Sequence, residues 1–262
     1  ADVGIALGEH STAAARRAAD VVVTDERIET LVDAIAEGRA TWASVRGAVS
    51  ILVGGNLGEI GFTLGAGLVD GRSPLNARQL LLVNLFTDVV PAMAIALRPP
   101  SPEVLASLAK EGPEASLGSA LNREIASRAG VTALGAGSAW LVGRFTGSQA
   151  RARTIGLAAL VGSQLGQTMR IGGYSSPVVV TSMGSALLLA SIIQTPFVSQ
   201  FFGCRPMGPV AWATAIGASV AATGASVAFP RYMADIGERI RTEFPGVLNN
   251  SAMKLPGFSL TP

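Results

Sequence analysis

Charge is what this sequence has least of. Lys, Arg, Asp and Glu make up 15% of its 262 residues, against roughly 25% in ordinary soluble domains. A soluble body of this size needs more than that to clothe its surface. Cysteine is reduced to Cys204, which excludes a disulfide scaffold. Aromatics are 5% and the net charge is only +2, so there is no basic, aromatic-laced stripe for nucleic acid. Disorder is excluded by a mean hydropathy of +0.44. A signal peptide is lacking too: Asp2 and Glu9 stand where positive charge is needed. The opening "ADVGIALGEH" reads as a strand already inside a domain, so the chain is expected to be the C-terminal piece of a longer protein. What remains is a polytopic membrane protein with the lipid bilayer as its main partner.

Charge is also unevenly spread. Residues 1–40 hold 12 of the 38 charged groups. Beyond residue 45, Lys and Arg vanish from long stretches. A spanning helix takes roughly 17–25 apolar residues. Six spans are predicted, at 47–69, 79–97, 125–143, 154–172, 178–198 and 208–230, within a membrane region of 41–230. Arg128 is expected at the rim of the third, snorkelling to water. An even number of spans puts both termini on one side. With that side cytoplasmic, 14 of the 20 Lys and Arg lie inside, as the positive-inside rule requires. The 231–262 tail is then cytoplasmic, and "RYMADIGERIRTEF" within it is expected to form a short amphipathic helix along the membrane surface.

Residues 1–40 read as the end of an α/β domain. DVGIAL and VVVT look like short buried strands, with an Ala- and Arg-rich helical stretch between them. Strand, helix, strand is the unit of a parallel sheet. From Glu29 an apolar helical pattern runs without proline until Pro74, which predicts one long helix leaving this head as a stalk and entering the bilayer.

Inside the spans, polar groups collect. Asn56 and Glu59 lie at i and i+3 of the first span; Asn84, Thr87 and Asp88 lie at i, i+3 and i+4 of the second. Each set is expected on one helix face. A charged group at mid-membrane costs roughly 2.5–3.5 kcal/mol on insertion scales, so it needs a proton, a partner or a cation. Carboxylates, amides and a hydroxyl are hard oxygen ligands, suited to Ca²⁺, Mg²⁺ or alkali ions. Pro91, three residues beyond Asp88, breaks the helix ladder and frees carbonyls.

These segments resemble the C-terminal part of P-type ATPases of the calcium-pump branch. "ADVGIALG" is similar to the end of that family's phosphorylation domain, a HAD-like fold, and "AADVVVTDERIETLVDAIAEGRATWASVRGAV" to its last strand and stalk. "NLGEI" and "LLLVNLFTDVVPAMAIALRPP" resemble its two central ion-binding spans. The resemblance is specific over residues 1–100 and topological beyond. It implies that Asn56, Glu59, Asn84, Thr87 and Asp88 line the ion site, with Gln164 of "LVGSQLGQ" where calcium pumps of internal membranes carry Glu. It also implies a plasma-membrane pump that uses ATP and Mg²⁺. Both would be bound by an N-terminal portion of the polypeptide holding the phosphorylated Asp and the nucleotide domain, so the present segment is expected to be inactive alone. No catalytic or cofactor-binding residue is assigned within it. A secondary transporter or channel segment is the competing reading; it has no need of an α/β head joined to the first polar span.

Other features have plainer readings. The Gly54, Gly58, Gly61 and Gly65 row, with Gly162 and Gly166, lets helices approach closely. His10, Arg16 and Arg17 read as surface residues and Cys204 as a free thiol. Trp42, Trp140 and Trp212 are expected near membrane interfaces.

Overall fold

The architecture comes from a computed structural model that describes residues 3–8, 11–25, 27–96 and 119–243. His10, the "KEGPEAS" loop and the tail beyond Glu243 lie outside the described residues.

The head is a small strand–helix–strand unit. β1 (Ile5–Leu7) pairs in parallel with β2 (Val21–Val23) across α1 (Ala13–Ala18). Gly8 takes a φ of +78°, which a glycine adopts without strain. Thr12 caps α1 by accepting from the Ala15 amide at 3.2 Å. Asp20 reaches back to the Gly4 amide at 2.8 Å and closes the unit.

From there α2 (Ile28–Asp70) runs 43 residues without a break, about 65 Å at 1.5 Å per residue. Gly71, at φ +69°, ends it by donating its amide to the Gly67 carbonyl. The chain returns through α3 (Ala77–Asn84), a π-helical turn over Leu85–Val89, and α4 (Val90–Ala96). Then follow α5 (Ser119–Thr146), α6 (Gln149–Ile171), α7 (Ser176–Gln194), the short α8 (Pro196–Phe201) and α9 (Pro209–Glu243). Among the described residues, three helical stretches are long and apolar enough to cross a membrane: Glu29–Asp70, Ala77–Ala96 and Ser176–Gln194. α5, α6 and α9 have the length, at 28, 23 and 35 residues, against about 20 needed. About half of their residues are Gly, Ala, Ser or Thr, and each carries several Arg, so hydropathy alone does not single them out.

Small residues set the packing. A methyl group on Gly54 would lie 3.0 Å from Arg128 Cβ, one on Gly58 2.8 Å from Thr132 Cβ, and one on Gly61 3.1 Å from Ala133 Cβ. α5 therefore runs alongside α2 in the same direction, in van der Waals contact. Asp70 and Arg144 pair at 3.2 Å where the two helices end. Gly65 meets nothing within 4 Å among the described residues. α6 runs the opposite way, with Gly55 against Gln164 and Gly156 against Phe62. Gly162 and Gly166 of α6 press on Ser219 and Thr223 of α9. α6 is buried almost throughout from Ala152 to Thr168. The apolar core joins Phe62, Trp140, Leu157, Leu160 and Leu165 to Ile193 of α7 and Ala215 of α9.

Four details depart from the sequence reading. Arg128 is not at a wet rim: it is 3% exposed, held in the slot left by Gly54. Trp140 is in the core at 3% exposure. The fifth predicted span, α7, stops at Gln194, and Pro196 starts α8 as a separate turn of chain. α9 continues through Pro230 to Glu243 as one helix, so the segment after Pro230 prolongs the span and does not form an independent surface helix.

Candidate cation-binding site

Glu59 is the centre of the polar cluster. It sits in the last third of α2, 5% exposed, because Gly55 and Gly58 on the same helix let α5 and α6 close over it. Gln164 of α6 approaches from the other side. Its Nε2 donates to Glu59 Oε1 at 3.2 Å and to the Gly55 carbonyl at 3.3 Å. One amide group thus bridges the carboxylate and the backbone one turn before it. The other end of the same side chain is unsatisfied: Gln164 Oε1 is buried and without a hydrogen-bond partner among the described residues.

Asn84 and Thr87 come from the returning helical run, Ala77–Ala96. Thr87 is 1% exposed, and its Oγ1 donates to the Val83 carbonyl at 3.0 Å. Asn84 is half-buried, and its Oδ1 is a second buried oxygen with no partner among the described residues. Asp88 lies in the π-helical turn of Leu85–Val89, just before Pro91; its side chain is outside the description. π turns of this kind mark functional sites and widen a helix locally. The turn packs against α2, α6 and α7, the first two of which also carry Glu59 and Gln164.

Asn56 is placed differently. It is exposed, while Glu59 one turn on is enclosed. The boundary of the buried face falls between them, because α5 and α6 cover the side of α2 that carries Gly54, Gly55 and Gly58. By helical spacing Asn56 continues the row Ala48, Leu52, and that row faces α4 across an apolar groove walled by Val89, Ala92 and Met93. Asn56 and Glu59 are therefore not on one covered face among the described residues.

Chemically the cluster is an acceptor set. Among the described residues no group of three or more His, Cys, Asp or Glu gathers; the Glu59 carboxylate is paired with the Gln164 amide nitrogen, and the amide oxygens of Gln164 and Asn84 are buried acceptors without a partner among the described residues. Such a set suits a hard cation. Two groups escaped the sequence reading. The Gly55 carbonyl has no side-chain signature. The pair Gln167–Thr132, with Nε2 to Oγ1 at 2.9 Å, ties α6 to α5 one turn from Gln164; its signal was the Gln-rich spacing of "SQLGQT".

The family signature "Cation transporting ATPase, C-terminus" matches residues 72–229. A "Probable cation-transporting ATPase I" of Mycobacterium leprae is 46% identical over 257 residues, covering 89% of this chain and 16% of that protein. A protein of the same name from Mycobacterium tuberculosis (strain CDC 1551 / Oshkosh) is 46% identical over 253 residues, with the same 89% and 16%. "Calcium-transporting ATPase 1" of Lactococcus lactis is 29% identical over 234 residues, 85% of this chain and 26% of that protein. The chain thus spans about a sixth of the length of the first two relatives. Taken with the bundle just described, the match over 72–229 shows that this chain belongs to the P-type cation-transporting ATPases, in their C-terminal membrane region.

Proposed function

We propose that this chain supplies the transmembrane cation site of an ATP-driven pump, with Glu59, Gln164, Asn84, Thr87 and Asp88 as ligands and Asn56 joining from the rim of the α2–α4 groove. The observation that carries the reading is the buried Glu59 with Gln164 hydrogen-bonded to it, whose other end, Oε1, is orphaned; Asn84 Oδ1 is a second orphaned amide oxygen, on the span that returns after α2. A buried acceptor without a donor costs about 1–3 kcal/mol, and a bare cation is a partner that offsets such a cost. Ca²⁺ is the first candidate, from the names of relatives such as that of Lactococcus lactis. Gln164 contributes no charge, so the site is built around fewer carboxylates than one carrying Glu there.

In this reading ATP and Mg²⁺ are bound by other parts of the polypeptide. Those parts transfer phosphate to an Asp outside this segment, and the segment alone neither hydrolyses ATP nor pumps. The β1–α1–β2 unit is the end of that phosphorylation domain, and α2 carries its movement to Glu59. The bundle lies in the plasma membrane with both termini cytoplasmic, and the face bearing Asn56 is covered by helices from the rest of the protein.

The test is ion-by-ion stimulation of ATPase activity in the full-length protein, with Glu59→Gln and Asp88→Asn beside the wild type. Ca²⁺ is expected to stimulate the wild type. Glu59→Gln is expected to raise the half-saturating concentration at least about tenfold, the scale of losing one charged ligand. Asp88→Asn is expected to lose ion-dependent phosphorylation. Unchanged ion dependence in both variants would overturn the assignment.

A further inference from the structure

The start of α3 is held from outside its own helix. Asn76 and Gln79 form a reciprocal capping box: Asn76 Oδ1 accepts from the Gln79 amide at 2.9 Å, and Gln79 Oε1 accepts from the Asn76 amide at 3.0 Å. A glutamate would close this box equally well. The residue is Gln, and its nitrogen is used elsewhere: Nε2 donates to the Gly203 carbonyl at 3.4 Å and to Cys204 Sγ at 3.5 Å. Gln79 is 2% exposed. Its neighbours grip the same strip of chain. Asn76 Nδ2 donates to the Phe202 carbonyl at 3.0 Å, and Arg78 Nη1 to the Phe201 carbonyl at 2.7 Å. The Arg78 guanidinium also lies 4.5 Å over the Phe201 ring.

Three consecutive carbonyls, 201 to 203, are therefore taken by three side chains of one helix start. Gly203 makes this fit, since its φ is +70° and a methyl there would meet Asn76 Nδ2 at 2.6 Å. The strip is itself anchored. The Arg205 amide donates to Thr154 Oγ1 at 3.0 Å. Gln194 and Met207 exchange two hydrogen bonds, at 3.0 and 3.2 Å. The 201–207 connection is thus fixed to α6 and α7 and presents a rigid edge to α3. Asn84 is five residues beyond Gln79, about 7.5 Å along the axis, with no proline or glycine between.

We propose that the α8–α9 connection is a clamp that sets the axial position of the ligand-bearing α3 and π turn, with Gln79 as a positioning residue for the cation site. The site it positions is the one proposed above, so the inference rests on that reading. Gln79 touches no cation; it acts through Asn84 and Thr87.

Two variants of the full-length protein test it. Gln79→Glu keeps the capping oxygen and removes the donor, and Arg78→Met removes the exposed bond to Phe201 with little risk to folding. Two readouts separate the clamp from the ion reading. Hydrogen exchange at amides 80–89 reports on the clamp alone: acceleration in Arg78→Met supports it, and an unchanged rate overturns it. Half-saturating Ca²⁺ for phosphorylation reports on positioning. It is expected to rise about three- to tenfold, the range of one neutral hydrogen bond, with the maximal phosphorylation level kept within about twofold. A lower maximum with unchanged half-saturation would mean a merely structural role and overturn the positioning claim. If Gln79→Glu does not reach the membrane, Arg78→Met decides alone. Wild-type Ca²⁺ dependence in Glu59→Gln, or no Ca²⁺ response in the wild type, would sink the Ca²⁺ site reading and the positioning claim resting on it. The exchange result on the clamp itself would still stand.

Discussion

Gln164 divides its two ends between two tasks, and that predicts opposite outcomes for two substitutions. Its nitrogen bridges Glu59 and the Gly55 carbonyl, while its oxygen is free of partners among the described residues. Gln164→Leu keeps the volume and removes both. It should weaken apparent Ca²⁺ affinity in the full-length protein by about tenfold or more, as expected for loss of a ligand and a bridge. Gln164→Glu adds a charge beside Glu59 and should raise the preference for divalent over monovalent ions, read as the ratio of half-saturating Ca²⁺ to Na⁺. Glycines give a second contrast. Gly58→Val forces a side chain into Thr132, 2.8 Å from the position of its first carbon, and should destabilise by about 1–3 kcal/mol. Gly65→Ala meets open space inside a helix and should stabilise by up to about 1 kcal/mol. Thermal unfolding of the detergent-solubilised protein measures both. At Cys204, burial pushes the thiol pKa up, partly offset by the Gln79 hydrogen bond. The folded state thus disfavours the thiolate. Its contribution to stability is full below the ordinary thiol range and is lost as pH rises through the raised value. Melting curves from pH 7 to 10 should show wild type losing ground to Cys204→Ala only at the alkaline end.

At the scale of elements, α2 was legible because its signal is long. The apolar pattern from Glu29 and the absence of proline before Pro74 foretold one helix, and the structure has it from Ile28 to Asp70. The β1–α1–β2 order was legible from two short apolar runs either side of an Ala-rich stretch. The π turn at Leu85–Val89 was not: weak helix formers, Phe86 to Val90, and Pro91 signal a disturbed ladder, but not which hydrogen-bond register it takes. Arg128 misled for a related reason. Counting charges places it at a rim, whereas a slot cut by Gly54 in a different helix accommodates it in the interior. Asn56 and Glu59 shared a face by spacing alone; which side of α2 its neighbours cover decides that only one of them is enclosed. Unbroken continuity of α2 predicts that a Gly pair or a Pro near Arg39–Trp42 uncouples ATP use from transport in the full-length protein, measured as ions moved per phosphate released.

On the scale of the molecule, the bundle divides by how tightly its helices meet. α2, α5, α6 and α9 touch through glycine, serine and threonine, with Gly162 and Gly166 leaving α9 no clearance. The continuous run of α3, π turn and α4 meets α2 across an open apolar groove instead. This difference has a mechanical reading. α2 is pinned near Gly54 and Gly58, about 40 Å from its start at Ile28, while Glu59 sits only about 7 Å past Gly54 at 1.5 Å per residue. A stiff rod gripped on both sides of that residue turns a swing of its far end mainly into rotation there, so in the pump reading proposed above the movement reaches Glu59 together with the α5 and α6 side chains packed on it.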